Sequence, residues 1–124
     1  MTQEDKDLLL KDLCARLPYG VKIELTWWVM GEGTYINTTL EPDHIEQLLN
    51  DEDGDTEIKP YLFPLWSMTE EQSKVYNELI DGMFGTSALI NFEVLTDFFN
   101  ANHLDYRGLI KKGLAIDATK LNIY

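Results

Sequence analysis

Between Val21 and Met30 the chain alternates strictly. Val21, Ile23, Leu25, Trp27 and Val29 fall on one side, and Lys22, Glu24, Thr26, Trp28 and Met30 on the other. A period of two belongs to an extended strand, whose successive side chains point to opposite faces. Gly31-Glu32-Gly33 permits a tight reversal, and Thr34 to Leu40, rich in β-branched and aromatic residues, reads as the strand that returns. A hairpin over 21–40 constrains the rest of the fold, because two strands alone are marginal in water and need packed partners. Adjacent Trp27 and Trp28 must project to opposite faces, so a cover on one face leaves the other indole without one.

Helices supply the cover. Thr2 with Asp5 resembles a capping box, and Leu8, Leu9, Leu13 and Leu17 recur at helical spacing, which predicts a helix over 3–16 ended by Pro18 and Gly20. Glu41-Pro42 reads as a second start, with Ile45, Leu48 and Leu49 on one face. Thr69-Glu70-Glu71-Gln72 is a well-formed capping box, followed by a stripe of Val75, Tyr76, Leu79, Ile80, Met83 and Phe84 as far as Gly85. Phe92, Leu95, Phe98 and Phe99 mark a helix over 88–102, antiparallel to its predecessor across Gly85-Thr86-Ser87, and this pair is expected to cover one sheet face.

Ile58 to Leu62 suits a short third strand, placed at an edge because Pro60 has no N–H for a ladder. From Leu104 onward turns are expected, with a short strand at Leu114 to Ile116. The class is α+β: one domain over 1–124, with a small, mainly antiparallel sheet built on the hairpin and three to four packed helices.

Charge narrows the function classes. Twenty-two Asp and Glu against ten Lys and Arg give a net charge of −12. Direct nucleic-acid binding, which relies on concentrated Lys and Arg, is therefore not expected. Glu41, Asp43, Glu46, Asp51, Glu52, Asp53, Asp55 and Glu57 follow one another with no Lys or Arg between them. That stretch reads either as a solvated face that keeps the chain soluble or as a docking face for a basic partner. The lone Cys14 forms no intrachain disulfide and reads as a buried, inert thiol. With no leader of basic then apolar residues and no apolar run of roughly 20 residues, a cytoplasmic protein without membrane association is expected.

Asp51-Glu52-Asp53-Gly54-Asp55 invites a calcium reading. With Gly54 at the sixth position of an EF-hand loop, Asp51 and Asp53 fit, but Leu49 and Pro60 fall where the first and last ligands must be. No metal is expected there, and none at His44 and His103, which lack a zinc ligand pattern. Neither a G-x-S-x-G turn nor a glycine-rich loop with lysine is present, so no cofactor is expected.

The densest set of reactive side chains is His103-Leu104-Asp105-Tyr106-Arg107. As chemistry, Asp105 could orient His103 while Arg107 binds an anion, in a pocket over 103–107. As structure, the segment follows a helix end: His103 meets the last carbonyls, Asp105 accepts N–H groups in a turn, Gly108 reverses the chain, and Arg107 pairs with a carboxylate. No separate nucleophile is in view, which favours the structural reading. Trp28, with Met30 and Tyr35, forms an exposed patch if helices cover only one sheet face; the N-terminal helix or the C-terminal segment would otherwise cover it. Trp66 either adds to that patch or anchors its loop.

The pieces Ile58-Lys59-Pro60-Tyr61-Leu62-Phe63-Pro64-Leu65, Ser67-Met68-Thr69-Glu70-Glu71 and His103-Leu104-Asp105-Tyr106-Arg107-Gly108-Leu109-Ile110, with Gly113-Leu114-Ala115-Ile116, carry a resemblance. They look like a group of short proteins of unassigned activity from Bacteroides-type gut bacteria and their phages and mobile elements. Members commonly show a K-P-Y-L-R-P-L-S-x-M-T-like stretch and a DYRGLI-like stretch; Phe63 stands where that pattern usually has Arg, and Trp66 where it usually has a small polar residue. The resemblance implies a bacterial or phage cytoplasm and an accessory role; it carries over no activity, cofactor or catalytic residue. It also leads us to expect that the two stretches meet in the fold, with Tyr106 or Arg107 near Pro60 to Pro64.

The function expected is that of a non-enzymatic interaction or regulatory protein of phage or mobile-element type, with inhibition as one form. It would bind a protein partner, basic or nucleic-acid-binding, through the acidic face (Asp51, Asp53 and Asp55 included) or the aromatic patch (Trp28, Tyr35, Trp66). The alternative is a small enzyme or ligand binder with its pocket at His103, Asp105, Tyr106 and Arg107. Oligomeric state is open, a homodimer included.

Overall fold

A computed structural model of the chain describes residues 1–51, 54–82 and 88–124. The expected stop at Gly85, its connection to the next helix, the stripe positions Met83 and Phe84, and the acids Glu52 and Asp53 lie outside the described residues.

Helix α1 (Gln3–Arg16) starts where its cap predicts, with Thr2 Oγ1 accepting the Asp5 N–H at 3.1 Å and Glu4 and Asp5 in the first turn. It ends in a tight 3-10 turn, Leu17–Tyr19, after which Gly20 at φ 69° reverses the chain. Its buried stripe is Leu9, Asp12, Leu13 and Arg16. Cys14 lies off that stripe and is exposed, which corrects the expectation of a buried thiol. The stripe runs through two charged residues, so the face that turns inward is not the one the leucines alone suggest.

Strands β1 (Lys22–Val29) and β2 (Glu32–Thr39) pair without a bulge from Lys22↔Thr39 to Val29↔Glu32. Met30 and Gly31, at φ 52° and 83°, form the two-residue turn, so β2 begins at Glu32 and not at Thr34. Strand β3 (Thr56–Leu62) pairs antiparallel with β1, and β4 (Ile116–Asp117) pairs parallel with β3, giving a mixed sheet in the order β2-β1-β3-β4.

The edge expected for the third strand is thereby corrected, since β3 lies between β1 and β4. Hydrogen-bond phase explains how Pro60 is accommodated. Trp28 donates its N–H to Asp55 O at 2.9 Å, so the even-numbered residues of β1 bond β3, and Pro60, opposite Ile23, belongs to a non-bonded pair. Its ring nitrogen faces away from β1, and the β4 ladder begins only at Tyr61.

One core cluster joins Leu9 and Leu13 of α1, Leu48 of helix α2 (Pro42–Leu49), Ile23, Leu25, Ile58 and Leu62 of the sheet, and Leu109 and Leu114. Each fully buried Leu or Ile contributes about 1.5–3 kcal/mol. A second cluster holds Leu95, Phe99 and Leu104 together with Phe63, Met68, Tyr76 and Leu79. Helices α3 (Glu70–Gly82) and α4 (Ala88–Ala101) therefore pack on each other and on the chain leaving β3. They do not cover the sheet, as their amphipathic stripes led us to expect, because α1, α2 and the 109–115 segment already fill its inner face. Among the described residues no helix is long and apolar enough to cross a membrane.

Candidate functional site

The segment after α4 is built as a joint. Leu104 N–H reaches Phe99 O at 2.9 Å and His103 N–H reaches Asn100 O at 3.2 Å, with His103 at φ 57° in the left-handed position glycine usually takes at a helix end. The chain then crosses beside β3: Phe63 N–H donates to His103 O at 2.8 Å and Asp105 N–H to Phe63 O at 2.9 Å. The two stretches that carry the resemblance thus meet, and Tyr106 shares the second cluster with Phe63. Asp105 accepts the N–H groups of Leu109 at 2.8 Å and Ile110 at 3.0 Å, closing the turn that Gly108 (φ 74°) reverses.

Arg107 does not face an open pocket. Its Nε lies 3.2 Å from Asp12 Oδ1, its Nη2 donates to Tyr106 Oη at 3.0 Å, and its side chain is only 17% exposed. The other arginine, Arg16, is fully buried, with Nε 2.8 Å from Asp12 Oδ2 and Nη2 donating to Leu104 O at 2.6 Å. Asp12, itself fully buried, therefore holds both guanidinium groups. The Tyr106 ring lies between them and Phe99, stacked on Phe99 at 5.1 Å with the Arg107 and Arg16 carbons 4.8 and 5.4 Å from its centre. Sequence reasoning missed Asp12 and Arg16. Their spacing of four, continuing the Leu9 and Leu13 face, was the available signal.

His103 turns its ring the other way, stacking on Tyr124 at 4.0 Å and 13°. Burial, and after it the Arg16 charge, pushes its pKa down to about 4. Tyr124 closes the sheet at that end. The register would pair Lys22 with Tyr61; instead Lys22 N–H donates to Tyr124 Oη at 2.8 Å and Tyr124 O–H donates to Tyr61 O at 2.7 Å. The phenol bridges the splayed ladder, and burial raises its pKa to about 12.

His103 and Asp105 thus serve separate tasks, Tyr106 and Arg107 meet each other beside Asp12, and the four do not converge on one point. A cleft of about 590 Å³ opens elsewhere, between Thr2 and Lys6 of α1, Asp51, Thr56 and Lys112; a shallower one of about 370 Å³ lies at Lys22, Asn37 and Tyr61. Neither is lined by residues 103–107.

The acidic stretch organises its own backbone. Glu41 N–H donates to His44 Nδ1 at 3.0 Å at the start of α2, and Asp51 accepts the N–H groups of Asp55 and Thr56, each at 3.0 Å. Among the described residues no three His, Cys, Asp or Glu side chains gather as a metal site would require. Asp53 lies outside the described residues.

On the outer sheet face, Trp28 is 39% exposed, Tyr35 61% and Met30 100%. Trp28 and Tyr35 meet edge to face with centroids 6.3 Å apart, and the indole lies over Gly33, where an added Cβ would sit 3.1 Å from the ring. Trp27 packs inward against the core. The C-terminal segment covers only the Lys22 end of this face, through Ile123 and Tyr124. Trp66, 79% exposed on the turn Leu65–Ser67, follows the far end of β3, ~20 Å along the strand from Thr56. The Trp28 N–H bond to Asp55 O ties the end of the acidic stretch to the aromatic patch. The two surfaces considered separately in the sequence adjoin in the fold.

Comparison with known proteins yields no match: no protein-family model, no curated protein and no solved structure is detectably similar to this chain.

Proposed function

We propose that this small α+β domain is a non-enzymatic interaction protein, accessory to a phage or mobile element in a bacterial cytoplasm. It engages a basic protein partner with the outer face of the β1–β2 hairpin and the acidic residues beside it. The single observation that carries this reading is the junction at Trp28 and Asp55, where a preorganised Trp28–Tyr35 pair adjoins a segment of like charge. Aromatic side chains fixed before binding lose little entropy on contact and dominate interface energetics, while the acids steer a cationic partner and set its orientation. A nucleic-acid-binding host protein fits, because a surface charged like a phosphate backbone competes for the same cationic face. Inhibition is then the direct consequence of occupancy.

The test is retention of partners from host lysate by wild type and by a chain carrying Trp28→Ser and Tyr35→Ser. The reading expects a partner held by wild type, lost by the variant, and released as salt is raised and the screening length falls from about 10 Å to about 3 Å. A partner retained equally by both chains would refute it.

A further inference from the structure

The two edges of the sheet are finished differently. β4 is two residues long, a short edge of the kind that resists pairing with other chains. β2 is eight residues long, and its only charged residue is Glu32, at one end. It contains no Lys, Arg or Pro, and it pairs with β1 one to one without a bulge to twist its edge away. No β2 residue belongs to either core cluster, and Tyr35 and Ile36 are exposed on its opposite faces.

The free hydrogen-bonding groups can be assigned from phase. Leu40 N–H donates to Val21 O at 2.8 Å, so Thr38, Ile36, Thr34 and Glu32 bond β1. Gly33, Tyr35, Asn37 and Thr39 turn their N–H and C=O groups outward, and among the described residues nothing bonds them.

We propose that β2 is a docking edge for a second copy of this chain, whose own β2 adds to it antiparallel and continues the two sheets into one. The outward groups fix the register. Ile36 lies opposite Ile36 of the second copy on the two-fold axis, Tyr35 opposite Asn37, and Gly33 opposite Thr39, so that every outward group of both strands is paired. This register places Glu32 opposite Leu40, so no like charges oppose each other along the edge. Pairing selects it: displacing the axis by two residues to Thr34 would leave the outward groups of Asn37 and Thr39 without partners on the second β2. The two Trp28–Tyr35 patches then share one continuous outer face. The inference does not rest on the partner proposed above, since replacing the side chains of Trp28 and Tyr35 leaves the backbone edge intact.

Sedimentation equilibrium of the whole chain tests it. Wild type is expected to approach twice the monomer mass as concentration rises, and to do so more readily at high salt, because both copies are strongly acidic; this is the opposite salt response to that of a basic partner. Asn37→Pro removes an outward N–H without touching the β1 ladder, and Ile36→Glu and Ile36→Lys each place like charges on the axis; each is expected to weaken association at least tenfold with unchanged far-UV circular dichroism. An equimolar mixture of the Ile36→Glu and Ile36→Lys chains is expected to dimerise again. A wild type that stays monomeric at every concentration and salt, a dimer indifferent to these substitutions, or a mixture that fails to associate would overturn the proposal.

Discussion

Both arginines of the chain end on one carboxylate. Removing a partner from a buried ion pair leaves the other charge uncompensated and costs about 3–5 kcal/mol, so Asp12→Ala is expected to lose that much in urea unfolding. Arg107→Gln removes the more exposed partner and leaves Asp12 paired with Arg16, so its cost is expected near 1 kcal/mol. Tyr124→Phe deprives Lys22 N–H and Tyr61 C=O of their bridge and is expected to cost about 1–3 kcal/mol. His103 adds a pH signature. Its pKa is about 4 in the fold against 6.5 unfolded, so the unfolded chain binds the extra proton between those values. The contribution is complete above pH 6.5 and is lost as pH falls toward 4, by no more than about 1.4 kcal/mol per pH unit. A His103→Asn chain measured beside wild type should show a shallower loss of stability over that window. The sequence displayed His103 to Arg107 as a cluster, but it did not display Asp12 and Arg16, because a charged pair at helical spacing looks the same on a solvated face as inside.

At the scale of elements, the hairpin and α1 were legible because strand period and helix cap agree with their neighbours, although the turn lies at Met30 and Gly31 and not at Gly31 to Gly33. Placement of β3 was not. Whether a proline sits at an edge depends on which way its nitrogen faces, and that phase is set by the Trp28 to Asp55 bond between distant residues. The α3 and α4 stripes were read correctly as apolar faces and assigned to the wrong surface, since periodicity says that a face is buried and not against what. Phe92, on the expected α4 stripe, is exposed. Within the hairpin, Gly33 leaves room for the Trp28 ring. Gly33→Ala is expected to displace that indole from Tyr35, which near-ultraviolet circular dichroism would register as a changed aromatic band, while far-ultraviolet spectra stay the same. An unchanged aromatic band would mean that the ring is not held by this contact.

Over the whole molecule, the chemistry-bearing residues divide between two regions. At one, Asp12, Arg16, Asp105, Tyr106 and Arg107 are spent on joining α1, the chain after β3 and the turn after α4. At the other, Trp28 and Tyr35 stand exposed beside Asp55, while Glu41 and Asp51 hold the backbone of their own stretch. The sequence made the first region look reactive because His103 to Arg107 are consecutive, and it showed the second only as two separate surfaces because the hairpin and the acidic stretch become neighbours through sheet pairing. The division is tested most directly by one paired measurement: partner retention and unfolding midpoint for Arg107→Gln beside Trp28→Ser/Tyr35→Ser. The account predicts that the first chain melts lower and keeps its partner, while the second remains folded and loses it. A chain with Arg107→Gln that remains as stable as wild type yet no longer holds the partner would place the functional surface at residues 103–107 and contradict the account.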